Sequence, residues 1–305
     1  MVNDGTSQLP TGWRAWVAGA RPRTLPAAVV PVLVGTACAL GVADQVVVWR
    51  AVAAGVVALA LQIGTNYAND YSDGVRGTDE PGLRVGPVRL VGWGIMSPRA
   101  VKIAALTSFL VAAVVGFALV LAVGWELLVV GVAAIAAGWF YTGGSHPYGY
   151  YGYGELFVFV FFGLVATVGS TYVHTEAVTG LSFVAAIPVG LLATALLVVN
   201  NLRDIPGDTE SGKRTLAVRI GDRRTRALYT ALLVIAFVCV PVVAGGFDRA
   251  PAAVALVGVV MARRPVLRVL EGARGPALIP VLGATGAVQL ATGVLLAAGI
   301  ALGAP

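Results

Sequence analysis

Charged side chains are scarce in this sequence. Only 12% of its 305 residues are Asp, Glu, Lys or Arg, whereas soluble globular proteins carry about 25%. This scarcity excludes a disordered chain, a coiled-coil rod and an ordinary soluble enzyme. The two cysteines, Cys38 and Cys239, lie in apolar stretches, which argues against a disulfide framework. The two histidines, His146 and His174, lack the spacing of a metal site.

The chain is instead rich in long apolar runs. A helix that crosses a bilayer needs about 20 apolar residues, and continuous runs favour helices over a β-barrel. The candidate segments are Leu25–Val42, Ala51–Ala68, Ala100–Val123, Glu126–Thr142, Leu156–Val173, Leu181–Val199, Leu228–Gly245, the shorter Pro251–Ala262, and Leu278–Leu302. We therefore predict an all-α membrane protein with nine transmembrane helices. Residues 21–305 form its membrane domain, and residues 1–20 form an N-terminal tail without the features of a signal peptide.

The basic residues predict the orientation of these helices. With the N-terminus inside, 19 of the 21 Lys and Arg residues fall in cytoplasmic segments, and only Arg50 and Arg249 fall outside. Cytoplasmic loops of membrane proteins carry such an excess. Nine crossings then put the N-terminus in the cytoplasm and the C-terminus outside. The net charge of +6 is thus a topology signal, and no nucleic-acid partner is expected.

Two acidic motifs end the second and sixth predicted helices. Each combines amide and carboxylate side chains at intervals of three or four residues, which places them on one helix face. The first comprises Asn66, Asn69, Asp70 and Asp73, and the second comprises Asn201, Asp204 and Asp208. Both follow even-numbered helices, so both lie on the cytoplasmic side. Their separation by four helices predicts two similar four-helix halves followed by a ninth helix.

The chemistry of these motifs indicates a metal and a phosphate. Solvated helix ends explain them poorly, because the amides continue back into the apolar spans, where they are costly. Two carboxylates about 6 Å apart repel by roughly 3 kcal/mol at an effective dielectric constant of about 20. Mg²⁺ relieves such repulsion and characteristically joins a few carboxylates to substrate phosphates. Arg76, Lys213 and Arg214 can neutralise a diphosphate. An isoprenoid diphosphate, with its tail among the helices, fits this arrangement.

An aromatic segment, Trp139–Tyr153, lies on the same predicted side of the membrane. Its rings, including Tyr141 and Tyr148, could shield the cation-like carbon that forms when diphosphate departs from an allylic substrate. They could equally form an interfacial aromatic belt. The sequence leaves both interpretations open.

At these motifs the sequence resembles the UbiA superfamily of intramembrane prenyltransferases, and within it the branch that acts on 1,4-dihydroxy-2-naphthoate in menaquinone synthesis. The resemblance covers nearly the whole chain. The segments that carry it are Arg21–Pro26, Asn69–Asp79, Gly86–Arg89, Pro147–Tyr150 and Asn200–Asp204 followed by Gly212–Arg219. As in the naphthoate branch, Asp79 comes ten residues after Asn69.

The resemblance implies roles for individual residues. It implies Mg²⁺ binding by Asp70, Asp73, Asp204 and Asp208, with Asn66, Asn69 and Asn201 as helpers. It also implies transfer of a polyprenyl group to 1,4-dihydroxy-2-naphthoate, with loss of diphosphate and CO₂. Asp79 would assist the metal or deprotonate the acceptor hydroxyl. Arg23 would contact an anionic substrate group or serve only as a topology anchor.

Local sequence and rival functions refine these expectations. Pro206 is expected to kink the helix and turn Asp208 away from its projected face, so Asp204 is the firmer prediction.

A sibling enzyme acting on another aromatic acceptor, such as 4-hydroxybenzoate, is the nearest alternative. A CDP-alcohol phosphotransferase would hold its acids in one segment, whereas Asp70 and Asp204 lie 134 residues apart. A transporter would carry acids near mid-span. The sequence does not specify an oligomeric state.

Overall fold

Every regular element in the described parts of the chain is helical. The computed structural model describes residues 9–79 and 88–305, so Gly86 and Pro87 of one predicted motif, and the tail before residue 9, lie outside them. The helices are α1 (Gly12–Ala20), α2 (Pro26–Ala39), α3 (Val48–Val75), α4 (Pro98–Ala122), α5 (Glu126–Phe140), α6 (Gly154–Val158), α7 (Ala166–Thr175), α8 (Gly180–Glu210), α9 (Leu216–Gly246), α10 (Gly258–Leu270) and α11 (Leu278–Leu302).

Six helical stretches within the described residues are long and apolar enough to cross a membrane. They are Val48–Val75, Pro98–Ala122, Gly154–Thr175, Gly180–Glu210, Leu216–Gly246 and Gly275–Leu302. A bent pair, Gly12–Thr24 with Pro26–Ala39, meets at 52° and adds a seventh candidate, while Glu126–Phe140 is a shorter apolar helix. The chain is thus an all-α integral membrane protein, but the predicted count of nine spans is not confirmed. One reason is that Pro251–Ala262 is divided between a 3₁₀ helix, Ala250–Val257, and the start of α10.

Helix starts follow ordinary capping chemistry. The side chains of Ser97, Thr179 and Thr215 each accept a hydrogen bond from the backbone three residues later, at the starts of α4, α8 and α9. Such caps satisfy amides that have no partner inside the helix. The sequence therefore places these three helices by local chemistry as well as by hydrophobicity.

Part of the predicted tail is folded. Residues 12–20 form α1, which packs against α3. The Trp16 and Tyr67 rings lie 5.8 Å apart at 82°, and the Tyr67 hydroxyl donates to the Trp16 carbonyl at 2.8 Å. An aromatic pair of this geometry therefore anchors α1 to α3, while the predicted boundary of the membrane domain at residue 21 stays a prediction.

The two acidic motifs end at the same face of the bundle. They occupy the last turns of α3 and α8, which end at Val75 and Glu210. At the opposite end of α3, Arg50 donates to the carbonyls of Val173 at 2.8 Å and Ala122 at 3.0 Å. Arg50, one of the two arginines predicted to lie outside, therefore ties helix ends together at the face away from the motifs.

A π-helical turn and a pair of glycines bring two helices into close contact. The turn, Phe159–Val165, links α6 to α7, and a Cβ atom on its Gly163 would lie 2.6 Å from the Gly190 Cα of α8. Small residues permit such close backbone approach between membrane helices. The contact supports the wall of the cavity described below, since Phe161 and Phe162 of the same turn line it.

Replacing Gly163 with alanine should therefore destabilise the protein. Overpacking of this kind costs typically 1–3 kcal/mol, so we expect a lower midpoint of thermal unfolding in detergent. Gly131→Ala is the matched control, because a Cβ there meets nothing within 4 Å. Equal midpoints for the two variants would show that the bundle absorbs the extra methyl group without strain.

Candidate active site between the two acidic motifs

A cavity of about 730 Å³ is lined by residues from both acidic motifs. Its wall along α3 runs from Ala54 to Asp73, roughly 28 Å at 1.5 Å per residue. The motif residues that line it are Asn66, Asn69, Asp73, Asn200, Asn201 and Asp208. Towards the start of α3 the wall becomes apolar, with Val57, Leu61 and Phe161 among its residues. The cavity therefore has a polar end at the motifs and a long apolar remainder.

Lys213 joins the two motifs. Its Nζ lies 2.9 Å from an Asp73 carboxylate oxygen, and both side chains are only 4% exposed. Its backbone amide donates to the Asp208 carbonyl at 2.8 Å. The expectation that the two acid-bearing helix ends converge is confirmed, because one residue contacts both. Buried pairing also gives Asp73 and Lys213 fixed positions.

Tyr150 completes this connection. Its hydroxyl donates to Asp73 Oδ1 at 2.6 Å, and its ring centroid lies 4.7 Å from Lys213 Nζ. Its carbonyl accepts from the Arg214 amide at 2.9 Å. Burial, followed by the charge of Asp73, raises the pKa of the Tyr150 phenol. The phenol therefore stays protonated at neutral pH and continues to donate to the carboxylate.

Asp70 and Asp204 are engaged away from the cavity wall. The Asp70 carboxylate is fully buried and accepts from the backbone amides of Leu90 at 3.0 Å and Val91 at 2.9 Å. The Asp204 carboxylate pairs with the Arg203 guanidinium through two contacts of 2.7 and 2.8 Å. Neither acid lines the cavity. Their predicted place beside a metal stays a prediction, and the structure gives each a contact with the protein.

Asp208 lines the cavity although Pro206 precedes it. Helix α8 continues through Pro206 to Glu210, so the expected change of direction does not carry Asp208 away. The Asp208 side chain is 2% exposed, and the Thr215 hydroxyl lies 3.5 Å from its Oδ2. The expected preference for Asp204 over Asp208 is therefore reversed at the cavity wall.

Asp79 pairs with Arg89, a cationic side chain of the cavity wall. It is fully buried and forms an ion pair of 3.2 Å with Arg89 Nε. Arg89 is 6% exposed and lines the cavity, and its buried Nη1 has no hydrogen-bond partner in the described residues. Asp79 does not line the cavity, and its ion pair with Arg89 does not decide between the two roles suggested for it, which stay predictions.

The first motif's amides are held by neighbouring segments. Asn66 Nδ2 donates to the Ala20 carbonyl at 2.9 Å and to Thr24 Oγ1 at 3.2 Å. Asn69 Oδ1 accepts from the Thr142 hydroxyl at 2.8 Å. These bonds satisfy amide groups that would be costly if buried alone, and they fix both side chains at the polar end.

Three predicted cationic contacts lie elsewhere. Arg76 is exposed and donates to the carbonyls of Thr142 and Gly144. Arg23 and Arg214 are also exposed and do not line the cavity. Among the predicted cations, Lys213 alone is both buried and in the cavity wall of the described residues.

The aromatic segment divides between cavity and surface. Tyr141 and Tyr148 line the cavity with ring centroids 5.5 Å apart, and Tyr148 stacks on Phe157 at 3.9 Å. Burial raises the pKa of the Tyr148 phenol. Tyr151 and Tyr153 are exposed by 43% and 54%. The shielding interpretation thus fits the first pair, and an interfacial position fits the second.

Several functional candidates were not predicted from the sequence. They are Arg21, Arg89, Tyr150, Asn200 and Glu155. Arg21, Arg89, Tyr150 and Asn200 sit in the segments that carry the family resemblance, and Glu155 is a rare acid beside an apolar span. These features could have identified all five.

The polar end offers oxygen donors for a divalent cation. Asp73 and Asp208 supply carboxylates, and the nearby asparagines supply amide oxygens. Among residues 9–79 and 88–305, no three His, Cys, Asp or Glu side chains form a metal-holding group. A hard cation sharing its ligands with an oxygen-rich substrate fits such a donor set, whereas a soft metal that prefers thiolate or imidazole does not.

Comparison with known proteins identifies the family. Residues 28–277 match the UbiA prenyltransferase family. The chain is 48% identical over 288 residues to the 1,4-dihydroxy-2-naphthoate octaprenyltransferase of Mycobacterium tuberculosis, covering 94% of this chain and 97% of that one. It is 39% identical over 242 residues to the enzyme of the same name from Escherichia coli, covering 77% of each chain.

Solved structures show the same fold. A UbiA homolog from Archaeoglobus fulgidus matches 93% of this chain and 98% of its own with a TM-score of 0.63 and 14% identity. The same homolog bound to DMAPP and Mg²⁺ matches 92% of this chain and 98% of its own with a TM-score of 0.59 and 15% identity. Sequence, fold and the paired acidic motifs agree: the chain belongs to the UbiA prenyltransferase family.

Proposed function

We propose that this enzyme transfers a polyprenyl group from an isoprenoid diphosphate to 1,4-dihydroxy-2-naphthoate, releasing diphosphate and CO₂ to give a demethylmenaquinol. The observation that carries the proposal is the cavity, whose polar end holds both motifs and whose remainder is apolar. The names of the relatives that are 48% and 39% identical to the chain support the acceptor.

The two ends of the cavity suit the two parts of a prenyl diphosphate. The apolar wall along α3 accommodates a hydrocarbon tail, whose burial is favoured by about 25 cal/mol per Å². Lys213 and Arg89 supply buried positive charge for the headgroup at the polar end. Arg89 also has a buried donor group, Nη1, that no acceptor among the described residues uses.

Mg²⁺ fits the donors at this end. We assign it to Asp73 and Asp208, with the amides of Asn66, Asn69 and Asn201 nearby, because these side chains line the cavity. Asp70 and Asp204 would support the site from behind, through their contacts with the backbone and Arg203. The Archaeoglobus homolog bound to Mg²⁺ and DMAPP supports a divalent metal. When bound, Mg²⁺ neutralises charge that develops on the departing diphosphate.

The protein's own side chains complete the reaction environment. Lys213 and Arg89 hold the diphosphate oxygens as negative charge grows on them. The Tyr141 and Tyr148 rings cover the polar end and can face a cation-like allylic carbon. Attack by the ring carbon that bears the carboxylate interrupts aromaticity. Expulsion of CO₂ restores aromaticity, so decarboxylation follows from the position of attack.

We also propose nine membrane crossings in two four-helix halves and a ninth helix, with the N-terminus and the active site in the cytoplasm and the C-terminus outside. The 52° bent pair, the short helix Glu126–Phe140 and the segment Pro251–Ala262, which combines the 3₁₀ helix with the start of α10, supply the crossings beyond the six long stretches. The basic residues favour this orientation. Labelling of single cysteines introduced at exposed Arg214 and Glu176, from each side of sealed vesicles, tests it.

An acceptor panel tests the proposed reaction. Purified protein in detergent receives a radiolabelled prenyl diphosphate, Mg²⁺ and either 1,4-dihydroxy-2-naphthoate or 4-hydroxybenzoate. We expect prenylated product from naphthoate and none from 4-hydroxybenzoate. When the carboxyl group of naphthoate carries ¹⁴C, the reaction should also release ¹⁴CO₂. Product from 4-hydroxybenzoate alone would replace the proposed acceptor, and product without release of CO₂ would remove the decarboxylation step.

Tyr150→Phe tests whether the Tyr150 hydroxyl supports the Asp73 carboxylate. The substitution removes the 2.6 Å hydrogen bond to the carboxylate, and hydrogen bonds to charged groups contribute about 1.5–3 kcal/mol. We expect turnover to fall by roughly ten- to a hundredfold, since 1.4 kcal/mol corresponds to a factor of about ten. Tyr153→Phe is the control, because Tyr153 is 54% exposed. Equal turnover in the two variants would remove Tyr150 from the site.

A further inference from the structure

Glu155 is a buried acid behind the second motif. It lies in α6, is 7% exposed and does not line the cavity. Its Oε1 accepts a hydrogen bond of 3.0 Å from Asn201 Nδ2. Asn201 does line the cavity, so Glu155 contacts the candidate site through one intermediate residue.

This contact determines which way the Asn201 amide faces. A carboxylate oxygen accepts hydrogen bonds, so the side of the amide that faces Glu155 must be its NH₂ group. The Asn201 carbonyl oxygen then points away from Glu155. The described residues record no donor to that oxygen, and Asn201 is 5% exposed. An amide oxygen presented to a metal or to its water ligands is a common element of sites for hard cations.

Packing alone does not explain an acid at this position. The other carboxylate oxygen, Oε2, is buried without a hydrogen-bond partner in the described residues, and an unsatisfied buried polar atom costs about 1–3 kcal/mol. Glu155 also lies in the first turn of α6, which begins the helical stretch Gly154–Thr175, and a carboxylate there gains typically about 0.3–1 kcal/mol from the helix dipole. An apolar residue would fill the same volume at lower cost. The bond to Asn201 is what distinguishes glutamate.

We propose that Glu155 is a positioning residue: its hydrogen bond to Asn201 Nδ2 holds the Asn201 amide with its carbonyl oxygen toward the metal and diphosphate headgroup. The inference rests on the proposed function, because it assigns that headgroup to the polar end of the cavity. Glu155 itself stays behind Asn201 and does not contact the substrate.

Binding of Mn²⁺ tests the proposal without turnover. Free Mn²⁺ is measured by electron paramagnetic resonance as it is titrated into detergent-purified protein with inorganic diphosphate. Glu155→Met keeps the length of the side chain but cannot accept the bond. Loss of such outer partners of metal ligands typically costs 10–100-fold in metal affinity or activity, so we expect weaker Mn²⁺ binding and turnover within that range. Glu155→Gln retains a carbonyl acceptor and should recover most of both.

A double-mutant cycle separates positioning from a general structural effect. If Glu155 acts through Asn201, Glu155→Met should add little to the loss caused by Asn201→Ala, because contacting residues couple. Tyr229→Phe is the control: it removes a buried hydrogen bond of 2.7 Å to Thr285, neither residue lines the cavity, and Mn²⁺ binding should be unchanged. Glu155→Asp, which is one methylene shorter, replaces Glu155→Met if that variant does not accumulate.

The outcomes are distinct. Additive losses, or Mn²⁺ binding by Glu155→Met equal to that of the wild type, would overturn the positioning role while leaving the proposed reaction intact. If the wild type binds Mn²⁺ but the acceptor panel yields no prenylated naphthoate, the proposed reaction is rejected. The double-mutant cycle then still tests the role of Glu155. Absence of Mn²⁺ binding by the wild type would count against both.

Discussion

Replacing Asp73 with asparagine should reduce prenyl transfer by about 10²–10³-fold, the loss found when a preorganised electrostatic group is removed from an active site. Asp73 is the carboxylate of the first motif that lines the cavity, and it contacts Lys213 at 2.9 Å and Tyr150 at 2.6 Å. Asparagine keeps the size of the side chain but removes the charge. It also leaves Lys213 buried without its anion, which disturbs the headgroup site further.

Initial rates at saturating prenyl diphosphate, naphthoate and Mg²⁺ measure this effect. Asp222→Asn is the matched control. Asp222 also pairs with an arginine, Arg226, but its own side chain is 40% exposed to solvent. The control should retain wild-type rates. Near-wild-type turnover by Asp73→Asn, with an unchanged Mg²⁺ requirement, would remove Asp73 from the metal site.

The second large effect is expected at Asp70, and it should appear first as a loss of stability. The Asp70 carboxylate accepts from the Leu90 and Val91 amides, and Leu90 is fully buried. Asp70→Ala leaves two amides without their acceptor, each at a cost of about 1–3 kcal/mol. Arg89 immediately precedes these amides, so loosening this segment should also move the guanidinium and lower turnover.

Thermal unfolding and Mn²⁺ binding together separate the two acids. Asp70→Ala should lower the unfolding midpoint markedly, whereas Asp73→Asn should weaken Mn²⁺ binding more than it lowers the midpoint. Asp70→Asn keeps one acceptor oxygen and should lose less stability than Asp70→Ala. An Asp70→Ala protein with wild-type stability and no Mn²⁺ binding would instead make Asp70 a metal ligand, as the family resemblance implied.

These two acids show how far the sequence could predict the site. Their spacing of three residues puts both on one broad helix face, and the amphiphilic substrate followed from acids at the ends of apolar runs. Which acid faces the cavity depends on the segment from residue 88 to 92, which packs on α3: a Cβ on Gly74 would lie 2.5 Å from the Val91 side chain. Because Gly74 and Val91 are well separated in the sequence, their contact leaves no local sequence pattern.

The cationic residues illustrate the same limit. Arg76 follows the first motif directly, so sequence proximity favoured it as a phosphate ligand, yet it donates to the Thr142 and Gly144 carbonyls. Lys213 was predicted and lies in the cavity wall. Both residues flank an acidic motif, and only the tertiary position of the aromatic segment separates their roles. The helix-forming regions were better defined, because hydrophobic length and capping residues are local properties.

The central claim is that the ends of α3 and α8 together bind one metal–diphosphate headgroup. The most direct test is anomalous X-ray diffraction from crystals grown with Mn²⁺ and a non-reactive prenyl thiodiphosphate. The account predicts a manganese peak within coordination distance of both Asp73 and Asp208, with diphosphate density reaching Lys213 and Arg89. Manganese bound to one motif alone, or diphosphate density at the opposite face near Arg50, would contradict it.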